Sequence, residues 1–303
     1  MKMYTAISLI QEVLFYKKPT LPMKRYTGIL IAALLSLGIS SGVSAQIQPP
    51  DLICVKNDTL VWELPVNSCG PFVSYLIYAS QDVDGPYTVL ATVTDPAQDL
   101  YFHELAGGDT WYYYMESNYD CPGLNPLPSD TLDNRIPEGG PLDYVTVTAG
   151  GVEIGWAPSP SPEVFAYVIS RNTMAGTTII DTVFSSTTYL DTEAAPDEAP
   201  ETYFVVALDR CGNKSLVGDP HNTIFLEENG ADPCEQAIDL TWNPYQNWPG
   251  GIARHEILLG VNGAPPEVID QVEGDQFTYR FDQANDGEEY CFVIRAVRGD
   301  DES

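Results

Sequence analysis

Three stretches decide the fold: LVWELP at 60–65, EIGWAP at 153–158 and DLTWNP at 239–244. Each ends a short apolar run on a Trp and reaches a Pro within three residues. Trp62, Trp156 and Trp242 lie 94 and 86 residues apart, which is the spacing of repeated modules within a 303-residue chain. After each Trp comes a loop and then a run of alternating aromatic and aliphatic residues: FVSYLIYAS (72–80), VFAYVISRN (164–172) and IARHEILLG (252–260). Period-two alternation predicts half-buried β-strands. A further strand (GPYTVLATV, TTIIDTVF, PEVIDQV) and a short Thr- or Tyr-bearing segment (DLYFHE, TTYLDT, FTYRFD) follow in the same order.

Each unit closes on an aromatic-led strand: GDTWYYYME (108–116), PETYFVVAL (200–208) and GEEYCFVIRAV (287–297). Gly or Pro stands three residues before Trp111, Tyr203 and Tyr290. That breaker predicts a corner into the strand, with the lead aromatic capping the core. A Tyr there can also send its hydroxyl back to upstream backbone, whereas Trp111 keeps only the packing half. About seven short strands in each unit of roughly 90 residues, with frequent turn signals and no helical pattern, predict an all-β chain of tandem immunoglobulin-like sandwiches.

Pro-, Gly- and acid-rich clusters at 135–143 (RIPEGGPLD) and 226–233 (LEENGADP) set the expected boundaries. They divide the chain into modules at 46–137, 138–227 and 228–303. The third reaches its aromatic-led strand and then RGDDES, with no sequence for a final strand, so the expectation is an incomplete third sandwich in a chain that continues.

The amino terminus reads as a targeting segment. Met23, Lys24 and Arg25 form a basic start, Ile29 to Leu37 an apolar run, and Val43, Ser44 and Ala45 a small-residue end, which predicts a signal peptide over 23–45 cleaved after Ala45. Residues 1–22 precede it as an over-extended start. Ser36, Gly38, Ser40 and Ser41 interrupt the run that a membrane anchor would need, so no membrane insertion is expected after cleavage.

Removing 1–45 leaves 9 cations against 42 anions, a net charge of −33. Such a surface repels phosphate backbones and anionic headgroups, which excludes nucleic acid as an expected partner. Solubility in a salty medium accounts for the acidity more simply than a dedicated cationic partner does. All six Cys lie in the exported part, which points to disulfides in an oxidising compartment.

The order Trp on the second strand, Tyr-x-Ile-Tyr on the third and Gly-x-x-Tyr-x-Phe-x-Ile-x-Ala on the sixth resembles fibronectin type III modules, over nearly all of 47–303. These modules act as spacers, adhesion surfaces and enzyme accessories alike, so the resemblance implies fold far more than function. On that frame Cys69 lies in the B–C loop and Cys121 just past strand F, at one end of the first sandwich, and the two are the candidate disulfide pair. A 52-residue separation makes such a bridge worth a few kcal/mol. Cys54 and Cys234 share a repeat position eight residues before their Trp. Cys54 thus competes for Cys121, and Cys234 for Cys291 or Cys211, leaving the connectivity of Cys54, Cys211, Cys234 and Cys291 open.

Tyr245 and Trp248, in the third B–C loop (NPYQNWPGG), are the candidate ligand-facing aromatic pair. Arg298, Gly299 and Asp300 spell the tripeptide that fibronectin-like modules present to integrins in their F–G loop. Asn57 and Asn213 head glycosylation sequons. Acidic runs at 80–87, 191–201 and 228–233 match no EF-hand spacing. His103, His221 and His255 have no metal-ligand spacing, and no nucleophile elbow, P-loop or metalloprotease motif occurs. No catalytic residue, metal or cofactor is therefore expected.

The signal peptide together with PPDLICV, CGPFVSYLIYASQ, WYYYM, NYDCPG, ALDRCGN and YCFVIRAV is also similar to the fibronectin-like amino-terminal portions of large Bacteroidota surface proteins. Those end in a gliding-motility-associated C-terminal domain of the type B sorting class. The resemblance implies an exported, non-catalytic surface or adhesion protein that contacts extracellular protein or polysaccharide, and the type IX secretion machinery if a sorting domain follows. The alternative is a set of accessory modules for a secreted hydrolase whose catalytic domain lies downstream.

Overall fold

The computed structural model describes residues 46–299 other than Ser68, Leu105, Met174, Pro233 and Cys234. The expected signal peptide, Cys234 and Asp300 lie outside the described residues. All regular structure among them is β, as expected.

The first seven strands are β1 (Asp51–Lys56), β2 (Thr59–Glu63), β3 (Phe72–Ser80), β4 (Thr88–Val93), β5 (Leu100–Phe102), β6 (Tyr112–Tyr119) and β7 (Leu132–Asp133). They form two sheets, ordered β1-β2-β5 and β4-β3-β6-β7. The next seven are β8 (Leu142–Thr148), β9 (Gly151–Trp156), β10 (Val164–Thr173), β11 (Gly176–Phe184), β12 (Thr188–Asp191), β13 (Thr202–Asp209) and β14 (His221–Asn222). Their sheets, β12-β9-β8 and β11-β10-β13-β14, repeat the same order. The last six are β15 (Leu226–Asp232), β16 (Ala237–Trp242), β17 (Ile252–Val261), β18 (Glu267–Glu273), β19 (Thr278–Phe281) and β20 (Tyr290–Arg298), in sheets β15-β16-β19 and β18-β17-β20. Three- plus four-stranded antiparallel sheets in this order make fibronectin type III-like sandwiches.

The repeat extends to the irregularities. The third-to-fourth strand ladder shifts register at Ile77/Tyr78, Ile169/Ser170 and Ile257/Leu258. The third-to-sixth ladder shifts at Phe72/Ser74, Val164/Ala166 and Ile252/Arg254. Bulges at matching positions bend the strand in the same place each time.

By contacts the described residues form two compact units, one of Gln46–Leu52 with Leu60–Asp133, the other of Ile53–Thr59 with Asn134–Gly299. In the first, the core is built from alternate residues: Leu60 and Trp62, Tyr75 and Ile77, Tyr113 and Met115, all at most 1% exposed. Cys69 and Cys121 form a disulfide that ties the β2–β3 loop to the end of β6. In the second unit one continuous buried cluster runs from Leu142 and Trp156 to Trp242, Ile257 and Phe292, so the sandwiches within it share a core. Gly151 sets the β8–β9 hairpin at φ +133°, where a Cβ would stand 2.1 Å from the Asp191 carbonyl oxygen.

The three anchoring Trp residues occupy one structural position. Their backbone N–H groups donate to the carbonyls of Asp99, Thr187 and Phe277 at 3.0–3.1 Å. Each indole meets a third-strand ring edge to face: Tyr75 at 6.2 Å, Tyr167 at 5.4 Å and His255 at 5.5 Å. The repeat's aromatic pair therefore survives in the third sandwich with imidazole in place of phenol.

Ladder register corrects the expected equivalence of the lead aromatics. Ile77, Ile169 and Ile257 pair with Met115, Val205 and Ile294. The buried residue two before each of these is Tyr113, Tyr203 or Phe292, so the true counterparts of Tyr203 are Tyr113 and Phe292. The breaker-to-core distance is three residues in the second sandwich and five in the others, which is why a fixed spacing from Gly or Pro misaligned them.

Candidate functional site

The residues expected to face a ligand lie at a joint inside the larger unit. Asn243 to Trp248 follow β16 and run back along the segment around β14. There Phe225 N–H donates to Asn243 Oδ1 at 2.6 Å, Gln246 N–H to Asn222 Oδ1 at 2.9 Å, and Asn222 Nδ2 to the Pro244 carbonyl at 3.0 Å. These bonds seat Tyr245, which is only 5% exposed. Its hydroxyl accepts the Val145 N–H of β8 at 2.7 Å and lies 2.9 Å from His221 Nδ1. The phenol oxygen can take a second donor as well as give its own proton, so the direction of this bond follows the imidazole tautomer: with Nδ1 unprotonated, Nδ1 accepts the Tyr245 proton.

Trp248 packs on Tyr245 with ring centroids 4.3 Å apart and donates from Nε1 to the Asp143 carbonyl at 2.6 Å. Arg298 completes the joint. Its guanidinium carbon lies 5.8 Å from the Trp248 ring centroid, and Nη1 pairs with Asp143 Oδ1 at 2.7 Å. Tyr245, Trp248 and Arg298 thus hold one sandwich to the next. The expectation of a ligand-facing Tyr245–Trp248 pair is corrected at Tyr245, which is buried and bonded to Val145 and His221, while the half-buried Trp248 is engaged by the Tyr245 ring and the Asp143 carbonyl. The tripeptide expectation is corrected at Arg298 on the same ground. Gly299 continues the pairing, its N–H donating to the Gly251 carbonyl at 3.1 Å.

Electrostatics follow from this packing. Burial drives the His221 pKa down to about 4, with Asp143 opposing and Arg298 reinforcing the shift. Burial likewise pushes the Tyr245 phenol up, so it remains a protonated donor.

A second polar constellation lies in the core end of the second sandwich. Arg171 points inward from β10 and pairs with Asp191 at 2.6 Å, with Glu201 3.9 Å away. The Tyr203 hydroxyl lies 3.1 Å from Asp191 Oδ2 and 3.0 Å from Glu201 Oε2. Asp191 and Glu201 are 3% and 6% exposed. Their outer oxygens accept the N–H groups of Glu193 and Ala195, which caps the adjoining loop. Burial opposes the Arg171 charge, but the two carboxylates outweigh it and hold its pKa above the ordinary value. Burial first, and then the two carboxylates, drive the Tyr203 phenol upward. Arg171 Nε is buried without a hydrogen-bond partner, and the other polar groups of the set bond to one another or to the adjoining loop, which marks a structural network.

The same location is filled differently elsewhere. In the first sandwich the counterparts are Ala79, His103 and Tyr113, with His103 Nδ1 2.9 Å from the Tyr113 hydroxyl. In the third they are Leu259, Phe281 and Phe292, with the two Phe rings 5.4 Å apart. The phenol is present where a polar partner faces it and absent where none does.

The larger unit also contains the second disulfide, Cys54–Cys211. Cys54 therefore does not compete for Cys121. Around it, Asn213 Nδ2 donates to the Val55 carbonyl at 3.1 Å, Lys56 Nζ to the Cys211 carbonyl, and Asn134 Nδ2 to Asp58 Oδ1 at 2.9 Å. Asn213 also donates to Asp209 Oδ2 at 2.7 Å, so this sequon amide is engaged in its turn. Cys291 sits on β20 opposite Gly260. Two disulfides fit an oxidising compartment. Residue types alone flagged Tyr245 and Trp248 but not their partners Asp143 and His221. Arg171 carried a usable signal, since alternation from Tyr167 and Ile169 sends it inward, and an inward Arg requires carboxylates.

No family model matches the sequence. No curated protein matches it either. Among solved structures, the chicken CNTN1 FN1-FN3 domains match with 11% identity, covering 84% of this chain and 94% of that one, at a TM-score of 0.24. The fibronectin type III-like character of the sandwiches rests on their sheet order and repeated ladder register.

Proposed function

We propose that this chain is an exported, non-catalytic modular protein whose sandwiches serve as fixed-geometry spacers and contact surfaces outside the cell, as in Bacteroidota surface proteins delivered by type IX secretion. The observation that carries the reading is the joint of Tyr245, Trp248 and Arg298 with Asp143, Val145 and His221. Side chains suited to gripping a ligand instead fix one module to the next, which is what a spacer of defined geometry requires. The disulfides and the signal-like segment at 23–45 support the exterior location.

Spin labels on exposed Ile179→Cys of β11 and Ile269→Cys of β18 test the joint in the full chain. The parent is expected to give one narrow distance distribution. Trp248→Ala, which removes a hydrogen bond, a ring contact and a cation–π contact together worth about 1–2 kcal/mol, is expected to broaden it. A broad distribution in the parent sinks the fixed spacer. Export is read separately, by amino-terminal sequencing of material secreted from a Bacteroidota host. A start at Gln46 supports it, and an uncleaved intracellular product overturns it.

A further inference from the structure

In β6 the alternation that buries Tyr113, Met115 and Ser117 turns Tyr112, Tyr114 and Glu116 to the opposite face of the β4-β3-β6-β7 sheet. Tyr78 of β3 pairs directly with Tyr114, and the two rings stack at 4.6 Å and 10°. Tyr87 meets Tyr114 edge-on at 5.1 Å. The Tyr78 hydroxyl donates to Glu116 Oε2 at 3.0 Å, and the Tyr87 hydroxyl to the Val83 carbonyl at 3.0 Å. Val89, opposite Tyr78 on β4, is 54% exposed. The outer face of this sheet thus carries a partly exposed patch of phenol rings with a carboxylate fixed at its rim.

Two further observations bear on its use. The sandwich itself does not require the patch: by ladder register the counterparts of Tyr78, Tyr114 and Glu116 are Ser170, Phe204 and Val206 in the second sandwich and Leu258, Val293 and Arg295 in the third. In addition, residues 60–133 contain eleven carboxylates and no Lys or Arg, although the chain as a whole has 14 cations. Ring faces carry negative potential, and a guanidinium can lie on a ring while its N–H groups reach a carboxylate. A neutral glycan would use the rings but gain nothing from the uniform charge, whereas a basic segment uses both.

We propose that the tyrosine face of β3 and β6, with Glu116, is a docking surface for an arginine-bearing polypeptide segment. This goes beyond the spacer role and is independent of the joint that carries it.

The probes are three fluorescent decapeptides, rich in Arg, Lys or Glu and otherwise Gly and Ser, titrated against the full chain and read by anisotropy. The Arg peptide is expected to bind in the micromolar to millimolar range, more tightly than the Lys peptide, with affinity falling as salt rises. Tyr78→Ser with Tyr114→Val, which install residues found at the counterpart positions, is expected to weaken it tenfold or more. Glu116→Gln, which preserves shape and thermal stability, is expected to weaken it several-fold. Equal binding by the parent and both variants would assign the effect to diffuse acidity and overturn the site. So would an absence of Arg-peptide binding, or binding of a neutral oligosaccharide through the same tyrosines in its place.

Discussion

Arg171→Leu alone is expected to destabilise the second sandwich by about 3–5 kcal/mol, because it leaves Asp191 and Glu201 buried without their cation. The combined variant Arg171→Leu, Asp191→Phe, Tyr203→Phe and Glu201→Gln is expected to recover most of that loss. The third sandwich shows that the same backbone site accommodates Leu259, Phe281 and Phe292. Gln keeps the bond that Glu201 accepts from Ala195 N–H without its charge. Attraction between buried charges barely repays their desolvation, so replacing the whole set costs much less than breaking it. Calorimetric unfolding of the parent and both variants reads the difference directly. A single variant that melts with the parent shows that the network contributes nothing. A combined variant as unstable as the single one shows that the site is not interchangeable.

Acid is expected to loosen the joint. His221 has a folded-state pKa pushed down to about 4, against about 6.5 in an unfolded chain. Its contribution is complete above pH 6.5, falls as pH drops through that value, and is lost by about pH 4. Between those limits the unfolded chain binds the extra proton, so stability rises with pH. The whole span amounts to roughly 3 kcal/mol. Geometry gives the same sign: a protonated Nδ1 has a proton of its own and can no longer accept the one offered by Tyr245. His255, fully buried against Trp242 and also lowered by burial, adds in the same direction. Unfolding at pH 7, 5.5 and 4.5 is expected to show His221→Asn, which keeps an acceptor toward Tyr245, with a shallower pH slope than the parent. His255→Tyr, the residue found at its counterparts Tyr75 and Tyr167, is expected to reduce the slope further. A slope unchanged in both variants removes these histidines as the cause.

The repeat was legible because burial imposes it. Trp62, Trp156 and Trp242 recur with an aromatic or imidazole partner on the next long strand, and period-two alternation marked which residues turn inward. The Cys69–Cys121 bridge followed from two loops at one end of one sandwich. What escaped the sequence lies outside the repeat. Asp143 meets Arg298 across 155 residues, and Cys54 meets Cys211 across 157, and neither pairing recurs at the counterpart positions among the described residues. Contacts between modules leave no periodic trace, so in sequence alone Tyr245 and Trp248 have the character of exposed loop aromatics. The lead-aromatic register failed for a local reason: the corner before the strand varies by two residues, and only the ladder distinguishes Trp111 from Tyr113.

The Cys54–Cys211 bond has a mechanical consequence. When the chain is pulled from points outside residues 54 and 211, tension crosses the sulfur–sulfur bond and bypasses everything between. The 156 intervening residues, roughly 500 Å of contour, stay slack however hard the ends are drawn. The Cys69–Cys121 ring lies wholly inside that slack and is sheltered with it. Reduction of one bond then sets the extensible length of the chain, so an oxidising exterior keeps it short under load and a reducing one lets it pay out.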